Sequence, residues 1–171
     1  ATSPSCKTLP VTFRKYRIMI NDKLDFRFLK VKNGKPFFAI VNLEVSRSDA
    51  DNEIIEDYSG EGWITQGHIE SVPNNGYEHW KKAVIKGLGF AFSLSNEKWK
   101  VKIKKVEGRI ATDTNPTIVG FVTILAFCEQ ANLILHSDFK NIVMIPYQCF
   151  LLYLKTNVLM LYFLQSQNHI L

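Results

Sequence analysis

The segment Lys98–Val106 alternates between basic and apolar side chains more regularly than any other part of the chain. Trp99, Val101 and Ile103 fall on one side of an extended chain, and lysines occupy the positions between them. Because successive side chains of a β-strand point to opposite faces, this pattern predicts a strand with one buried and one solvent-exposed face. The chain must therefore build a sheet that other elements cover on one side only.

A β-hairpin is predicted upstream of this strand. Leu24–Val31 alternates apolar and charged residues, Asn33-Gly34 follows, and a second extended segment then continues to Val45. Asn-Gly between two such segments is the strongest local signal of a two-residue hairpin turn, since both turn positions need positive φ. One face of the second strand is apolar throughout: Phe37, Ala39, Val41, Leu43 and Val45.

Two further strands are predicted, Val11–Ile20 before the hairpin and Trp63–Glu70 after it, because both segments are rich in β-branched or aromatic residues. After Pro73–Gly76, which provides a turn and an N-cap, we expect a helix over Tyr77–Leu94 with apolar residues at helical spacing. Gly87 and Gly89 weaken this helix, and we expect them to allow its close approach to the sheet.

A second helix is predicted over Pro116–Leu133. Proline suits the first helical position, and either Asn115 or Thr114 can supply the N-cap. This helix is apolar almost all round, so other elements must cover it on more than one side. The order strands, helix, strand, helix predicts an α+β fold, namely a two-layer sandwich of a mostly antiparallel sheet with both helices packed on one face.

Ser46–Gly62 interrupts the strand pattern and contains six acidic residues but no basic residue after position 47. The spacing of Asp49, Asp51 and Glu53 matches the first ligands of a calcium-binding loop. The glycine and the closing glutamate of such a loop are replaced by isoleucine and glycine, respectively. We therefore expect a solvated acidic loop that binds no divalent ion.

Three regions are expected along the chain: a flexible lead-in over 1–10, an α+β domain over 11–134 and a hydrophobic C-terminal segment over 135–171. The apolar segment Ile142–Leu164 of the last region is interrupted by Lys155, and the uncharged stretch before this lysine, Asn141 to Leu154, has 14 residues, whereas a membrane-spanning helix needs about 20. Lys155 would cost about 3 kcal/mol within a longer span. This disfavours membrane anchoring and favours an extra helix or strand over the second helix, with an atypical tail of no selected role as a third alternative.

Composition restricts the function classes. The three cysteines form no C-x-x-C pair, which disfavours a zinc ribbon and a disulfide framework and favours a reducing, cytoplasmic location. His68 and Glu70 share one face of the predicted strand near His79, but two or three isolated polar residues rarely form a metal site. No nucleophile motif occurs, so we expect a protein without catalytic activity, cofactor or metal.

The run from about Phe28 to Leu135 resembles the fourth domain of elongation factor G and its relatives, which has the fold of the second domain of ribosomal protein S5. The similarity lies in the order and spacing of elements rather than in identities. It is carried by Asn33-Gly34 with Phe37–Glu44, by Trp63–Ile69, by Val72-Pro73, Tyr77, Ala83-Val84 and Gly87-Leu88, by Lys100–Lys105, and by Asp113–Gly120 with Ala126.

The resemblance implies that two tip loops, Lys32–Lys35 and Arg109–Asn115, contact ribosomal RNA, as they do in the family. The chain departs from the family in its hairpin loop, which is not glycine-rich. It also contains no G-x-x-x-x-G-K-[ST] sequence, so GTP hydrolysis is not expected of it.

The best functional candidate is a run of basic residues that we call the basic ladder: Lys98, Lys100, Lys102, Lys104, Lys105 and Arg109. With Glu97 and Glu107 it gives residues 95–110 a net charge of +4, within a chain of net charge +5. Together with Lys32 and Lys35 of the hairpin, a face of this kind can follow a phosphate backbone. The opposing interpretation is that these lysines only keep an open sheet face soluble.

Three functions therefore remain open. The first is a non-catalytic module that binds RNA or a ribonucleoprotein, in translation for example, through the basic ladder and the tip loops. The second is a protein-interaction or structural subunit, which uses the apolar second helix and the C-terminal segment to bind a partner or another copy of itself. The third is a small enzyme of the same superfamily, which the missing glycine-rich phosphate loop argues against.

Overall fold

The computed structural model describes residues 25–32, 34–133, 135 and 152–156, which form an α+β domain. The elements are β1 (Asp25–Lys32), β2 (Lys35–Arg47), β3 (Glu53–Glu56), β4 (Glu70–Ser71), α1 (Glu78–Phe92), β5 (Trp99–Gly108) and α2 (Pro116–Gln130). Residues 152–156 add a helical turn. The predicted lead-in 1–10, the predicted strand Val11–Ile20 and most of the segment 135–171 lie outside the described residues.

The five strands form one mixed sheet in the order β1-β2-β5-β3, and β4 pairs with the end of β5. The pairs β1–β2, β2–β5 and β4–β5 are antiparallel, whereas β3 runs parallel to β5. The hairpin prediction is confirmed, because Lys32 pairs with Lys35 across the turn and Gly34 has a φ of 73°. The α+β prediction is thus confirmed, with one parallel pair that the sequence did not predict.

The strand β5 lies at the centre of the sheet and has the two faces that its sequence predicts. Trp99, Val101 and Ile103 are buried. Apolar side chains placed between two layers in this way contribute about 1.5–3 kcal/mol each by leaving water. The lysines between them lie on the opposite, outward face.

The helix α2 packs against β1, β2 and α1. The side chain of Asn115 accepts a hydrogen bond from the amide of Ile118 at 3.0 Å. Asn115 is thus the N-cap, rather than Thr114, the other residue that the sequence offered. The rings of Phe121 and Phe127 meet Phe28 and Trp99 edge to face, with centroids 5.4 Å apart in both pairs. Aromatic pairs favour this geometry, and the helix is buried on nearly all sides, as its apolar sequence requires.

The sequence predicted that Gly87 and Gly89 allow α1 to approach the sheet closely. The structure differs, because neither glycine faces the sheet. Gly87 instead faces α2, where a Cβ atom would lie 2.7 Å from the carbonyl oxygen of Gly120. Gly89 is exposed and would have no atom within 4 Å of its Cβ. The close approach is therefore between two helices, and only one of the two glycines takes part in it.

The predicted strand Trp63–Glu70 is wrong, because residues 63–69 form an exposed loop and only Glu70–Ser71 enters the sheet as β4. The prediction of a loop over Ser46–Gly62 is also wrong in part, since β3 lies within it. Ile54 and Ile55 of β3 are half-buried against β5. Local propensity alone does not reveal so short an edge strand, which pairing with β5 stabilises.

The helical turn 152–156 packs onto the domain. Leu154 is 5% exposed and belongs to the main hydrophobic core, and Tyr153 packs against that core. This part of the hydrophobic C-terminal segment therefore folds back onto the α+β domain. Within the described residues, no helix is both long and apolar enough to cross a membrane.

Candidate nucleic-acid interface

The basic ladder lies on the outward face of the sheet. Lys100, Lys102 and Lys104 project from β5, and their side chains are 35–49% exposed. Lys98 is exposed just before β5 begins, and Arg109 is half-buried just after it ends. Alternate residues of a strand are about 6.6 Å apart, so the ladder forms a line of basic groups along one side of the domain.

A β-bulge places two consecutive lysines on this outward face. Asn42 of β2 pairs with Lys105, whereas the next residue, Leu43, pairs with Ile103, so Lys104 is an extra residue in β5. A bulge of this kind shifts the alternation by one position. Lys104 and Lys105 therefore both point outward, and Val106 returns to the core, where it is 1% exposed.

Acidic side chains from a different part of the chain neutralise the middle of the basic ladder. Lys100 forms an ion pair with Glu53 of β3 at 2.9 Å. Asp57, directly after β3, lies 3.1 Å from Lys102 and 2.9 Å from Lys104 through one carboxylate oxygen. The parallel register of β3 and β5 brings these residues together, because Glu53 is opposite Lys100.

These contacts shift the titration of the groups involved. Hydrogen bonds from Lys104 and Lys102, together with their positive charges, hold the pKa of Asp57 below its usual value. The hydrogen bond to Asp57 in turn raises the pKa of Lys104. Both partners are therefore fully charged at neutral pH, and the pair behaves as an ionic contact rather than as a neutral hydrogen bond.

The last lysine of the ladder is held by a polar row that crosses three strands. Lys105 donates a hydrogen bond to Asp25 of β1 at 2.7 Å, and the amide of Asn42 in β2 donates to the same carboxylate at 2.7 Å. Glu107 lies 3.7 Å from Lys105. This lysine is thus the least available of the ladder for an external anion.

The end of the ladder borders the loop 109–115. Arg109 pairs with Asp113 at 3.6 Å and lies over the ring of Phe38, with 5.7 Å between the guanidinium carbon and the ring centroid. The hydroxyl of Thr114 accepts a hydrogen bond from the amide of Arg109 and donates one to the carbonyl of Phe38. These bonds fix the loop against β2 at Phe38, three residues after Lys35 of the hairpin.

The hairpin supplies two of the eight predicted binding residues, Lys32 and Lys35. Lys35 is exposed at the start of β2. The side chain of Lys32 lies outside the described residues. Of the eight predicted binding residues, four belong to β5, and Lys98 and Arg109 flank this strand. One strand and its two ends therefore position most of the candidate interface.

One exposed aromatic residue lies in a loop where the sequence predicted a strand. Trp63 is 64% exposed, at the start of the loop 63–69. Gly62 bridges to Ser71, and Glu70 pairs with Gly108, so this loop begins and ends near the end of β5. The positive φ values of Gly62 and Gly67, 77° and 86°, mark the loop, and these glycines were the available sequence signal.

Glu70 holds two loops together. Its carboxylate accepts hydrogen bonds from the hydroxyl of Tyr77 and from the amide of Ile110 at 2.9 Å. Burial and the bond to Glu70 raise the pKa of Tyr77 to about 12, so this hydroxyl remains a donor at neutral pH. His68 and His79 are exposed, and the described residues contain no group of three side chains able to hold a metal ion.

The positive charge of the chain is unevenly distributed. The described residues contain 15 basic and 14 acidic side chains, whereas residues 1–24 contain five basic side chains and one acidic side chain. The domain itself is therefore almost neutral, in spite of the basic ladder. Any attraction of a polyanion to the domain depends on local charge rather than on its total charge.

Comparisons with known proteins give no family for this chain. No protein-family model matches it, and no curated protein is significantly similar to it.

Proposed function

We propose that this domain is a non-catalytic module that binds single-stranded RNA or a ribonucleoprotein through the basic ladder. The observation that carries the proposal is the line of four lysines on the outward face of β5, flanked by Lys98 and Arg109, in which the side chains of Lys100, Lys102 and Lys104 are partly exposed. A groove or face that combines such a line with an aromatic platform is typical of proteins that bind single strands.

The ion pairs on this face are compatible with the proposal. Glu53 and Asp57 are themselves 51% and 44% exposed, so their contacts with the lysines are surface contacts. Exposed ion pairs contribute only about 0–1 kcal/mol each. A polyanion that contacts several lysines at once can therefore replace the carboxylates.

The finer fold assignment is part of the same proposal. We infer that the domain has the fold of the second domain of ribosomal protein S5, in the version found in the fourth domain of elongation factor G. Support comes from the order of the elements, with a β-hairpin, a helix, the strand β5 and a second helix in sequence. A role in translation follows from this resemblance alone.

The simultaneous replacement Lys100→Gln, Lys102→Gln and Lys104→Gln tests the function. We expect weaker binding of a mixed-sequence single-stranded RNA in a fluorescence titration at two salt concentrations. The dependence of log K on log salt should become flatter by about 0.7 for each phosphate that the variant no longer neutralises. The control replaces Lys82, Lys86 and Lys155, which are exposed and outside the ladder, and should retain the full salt dependence.

Two results would contradict this assignment. If the wild-type protein fails to bind RNA at low salt, the ladder is only a solvated face. If the control variant loses as much affinity as the ladder variant, binding follows total charge and no interface has been located. The unfolding free energies should differ by less than about 0.5 kcal/mol, because the replaced side chains are at the surface.

Trp63→Ala should weaken RNA binding by a different route. A base stacked on an aromatic side chain contributes about 1–3 kcal/mol, so we expect a loss of roughly 5- to 150-fold in affinity. Because the indole is uncharged, the salt dependence should stay at its wild-type value. Ile64→Ala in the same exposed loop is the matched control and should bind RNA as the wild type does.

A second candidate function is a protein-interaction subunit. The apolar surface of α2 is already buried in the domain and offers no docking face. Exposed apolar side chains occur instead on and beside the loop 63–69, namely Trp63, Ile64, Ile69 and Ile110. Unchanged RNA binding by Trp63→Ala would favour this second function for the loop.

A further inference from the structure

We propose that the carboxylates of Glu53 and Asp57 compete with RNA for the basic ladder and so set the affinity of the interface. This inference rests on the proposed function and assigns to the segment 53–57 a role in regulating the same site. The competitor belongs to the chain itself, so its local concentration is fixed by the fold.

The geometry gives these two carboxylates the positions that phosphate oxygens need. Asp57 places one oxygen between Lys102 and Lys104, at 3.1 and 2.9 Å, and Glu53 places one 2.9 Å from Lys100. Three successive lysines of the outward face are thus occupied by two acidic groups. A phosphate that approaches these lysines finds their ammonium groups already ion-paired, and the carboxylates repel it because they are also negatively charged.

Hydrogen bonds hold the backbone of the acidic segment in place, so displacement of the carboxylates by RNA requires only side-chain movement. The amide of Ser48 donates to the carbonyl of Lys98 at 2.8 Å, and the amide of Asp57 donates to the carbonyl of Ile103 at 3.0 Å. Asn52 accepts a hydrogen bond from the amide of Trp99 at 2.8 Å. These bonds anchor both ends of β3, while the carboxylates remain about half exposed and can rotate into water.

By sequence alone these acidic residues belong to a solvated loop, and residues 95–110 carry a net charge of +4 that no other part of the chain offsets. The pairing removes most of that charge from the centre of the face. At one end of the ladder Arg109 is paired with Asp113, and at the other end Lys98 takes part in no ion pair among the described residues. Only a ligand that contacts several lysines at once gains enough binding free energy to displace both carboxylates. Single anions such as inorganic phosphate should therefore bind weakly.

The double replacement Glu53→Gln and Asp57→Asn tests the competition. We expect the affinity for a mixed-sequence single-stranded RNA at low salt to rise at least tenfold. The salt dependence should become steeper by about 0.7 for each lysine that newly neutralises a phosphate, or by about 2 for all three. The measurement is the same two-salt fluorescence titration.

The control is Asp49→Asn with Asp51→Asn, which changes the total charge by the same amount. Both residues are exposed in the connection between β2 and β3, and no ion pair among the described residues involves either of them. Their replacement should increase RNA affinity less than threefold and leave the salt dependence unchanged. If the two double variants bind RNA equally well, total charge explains the effect and the competition is refuted.

The outcome also separates this inference from the proposed function. RNA binding that depends on Lys100, Lys102 and Lys104 but does not respond to the change at Glu53 and Asp57 would overturn the competition and leave the function standing. Absence of binding by every variant would overturn both. Thermal unfolding checks that the variants fold, and Glu53→Gln alone, expected to give a smaller increase in affinity, replaces the double variant if the latter is unstable.

Discussion

Leu154→Ala should lower the free energy of unfolding by about 2–5 kcal/mol. This leucine is 5% exposed and lies in the main core, and removal of a buried leucine side chain costs its transfer free energy and leaves a cavity. The effect would be large for a domain of this size, whose total stability is about 5–15 kcal/mol. Urea unfolding followed by tryptophan fluorescence measures it.

The neighbouring Leu152 supplies the control, because it is 63% exposed in the same helical turn. Leu152→Ala should change the stability by less than about 0.5 kcal/mol. Equal stability of the two variants would show that the turn 152–156 is dispensable for the fold. That result would return the C-terminal segment to the alternatives of a projecting interaction surface or a tail without a selected role.

Gly87→Ala should destabilise the protein by about 1–3 kcal/mol, the usual cost of overpacking. The new Cβ would meet the carbonyl oxygen of Gly120 at 2.7 Å, and backbone atoms on two packed helices have little freedom to move apart. The result is informative because alanine favours a helix over glycine by about 1 kcal/mol. Packing must therefore overcome intrinsic propensity.

Gly89→Ala in the same helix should have the opposite sign. No atom lies within 4 Å of the position of its Cβ, so the replacement adds helix propensity without a clash. We expect an increase of about 0.5–1 kcal/mol in the free energy of unfolding, measured by chemical denaturation. Increased stability at both positions would mean that α1 and α2 are not in close contact at Gly87.

Only part of the candidate site could be predicted from neighbouring residues in the sequence, because the rest depends on residues that are distant in the chain. The basic ladder is visible in the sequence, because its alternation with Trp99, Val101 and Ile103 is local. Its acidic partners are not, since Lys104 and Asp57 are 47 positions apart and meet only when β3 pairs with β5. Trp63 was missed because aromatic and β-branched residues indicate a strand wherever they occur, and only their position in the fold decides whether they are covered.

The sequence by itself determined the elements whose signals are local. The Asn33-Gly34 sequence predicted the hairpin turn, in which Gly34 has a positive φ, and Asn115-Pro116 specified the start of α2 through the N-cap and the fixed φ of proline. The alternation of β5 specified which of its side chains are buried. These signals act within a few residues, so no other part of the chain is needed to interpret them.

Only the tertiary structure decided which segments meet. Pairing with β5 made a strand of Glu53–Glu56 and brought its carboxylates to the basic ladder, and contact between α1 and α2 gave Gly87 its role. The bulge at Lys104 arises in the same way, from the register that β2 imposes on β5. The physical reason is that a short edge strand, an ion pair and a close helix contact are each too weak to form alone. They become stable once the hydrophobic core has fixed the positions of their partners.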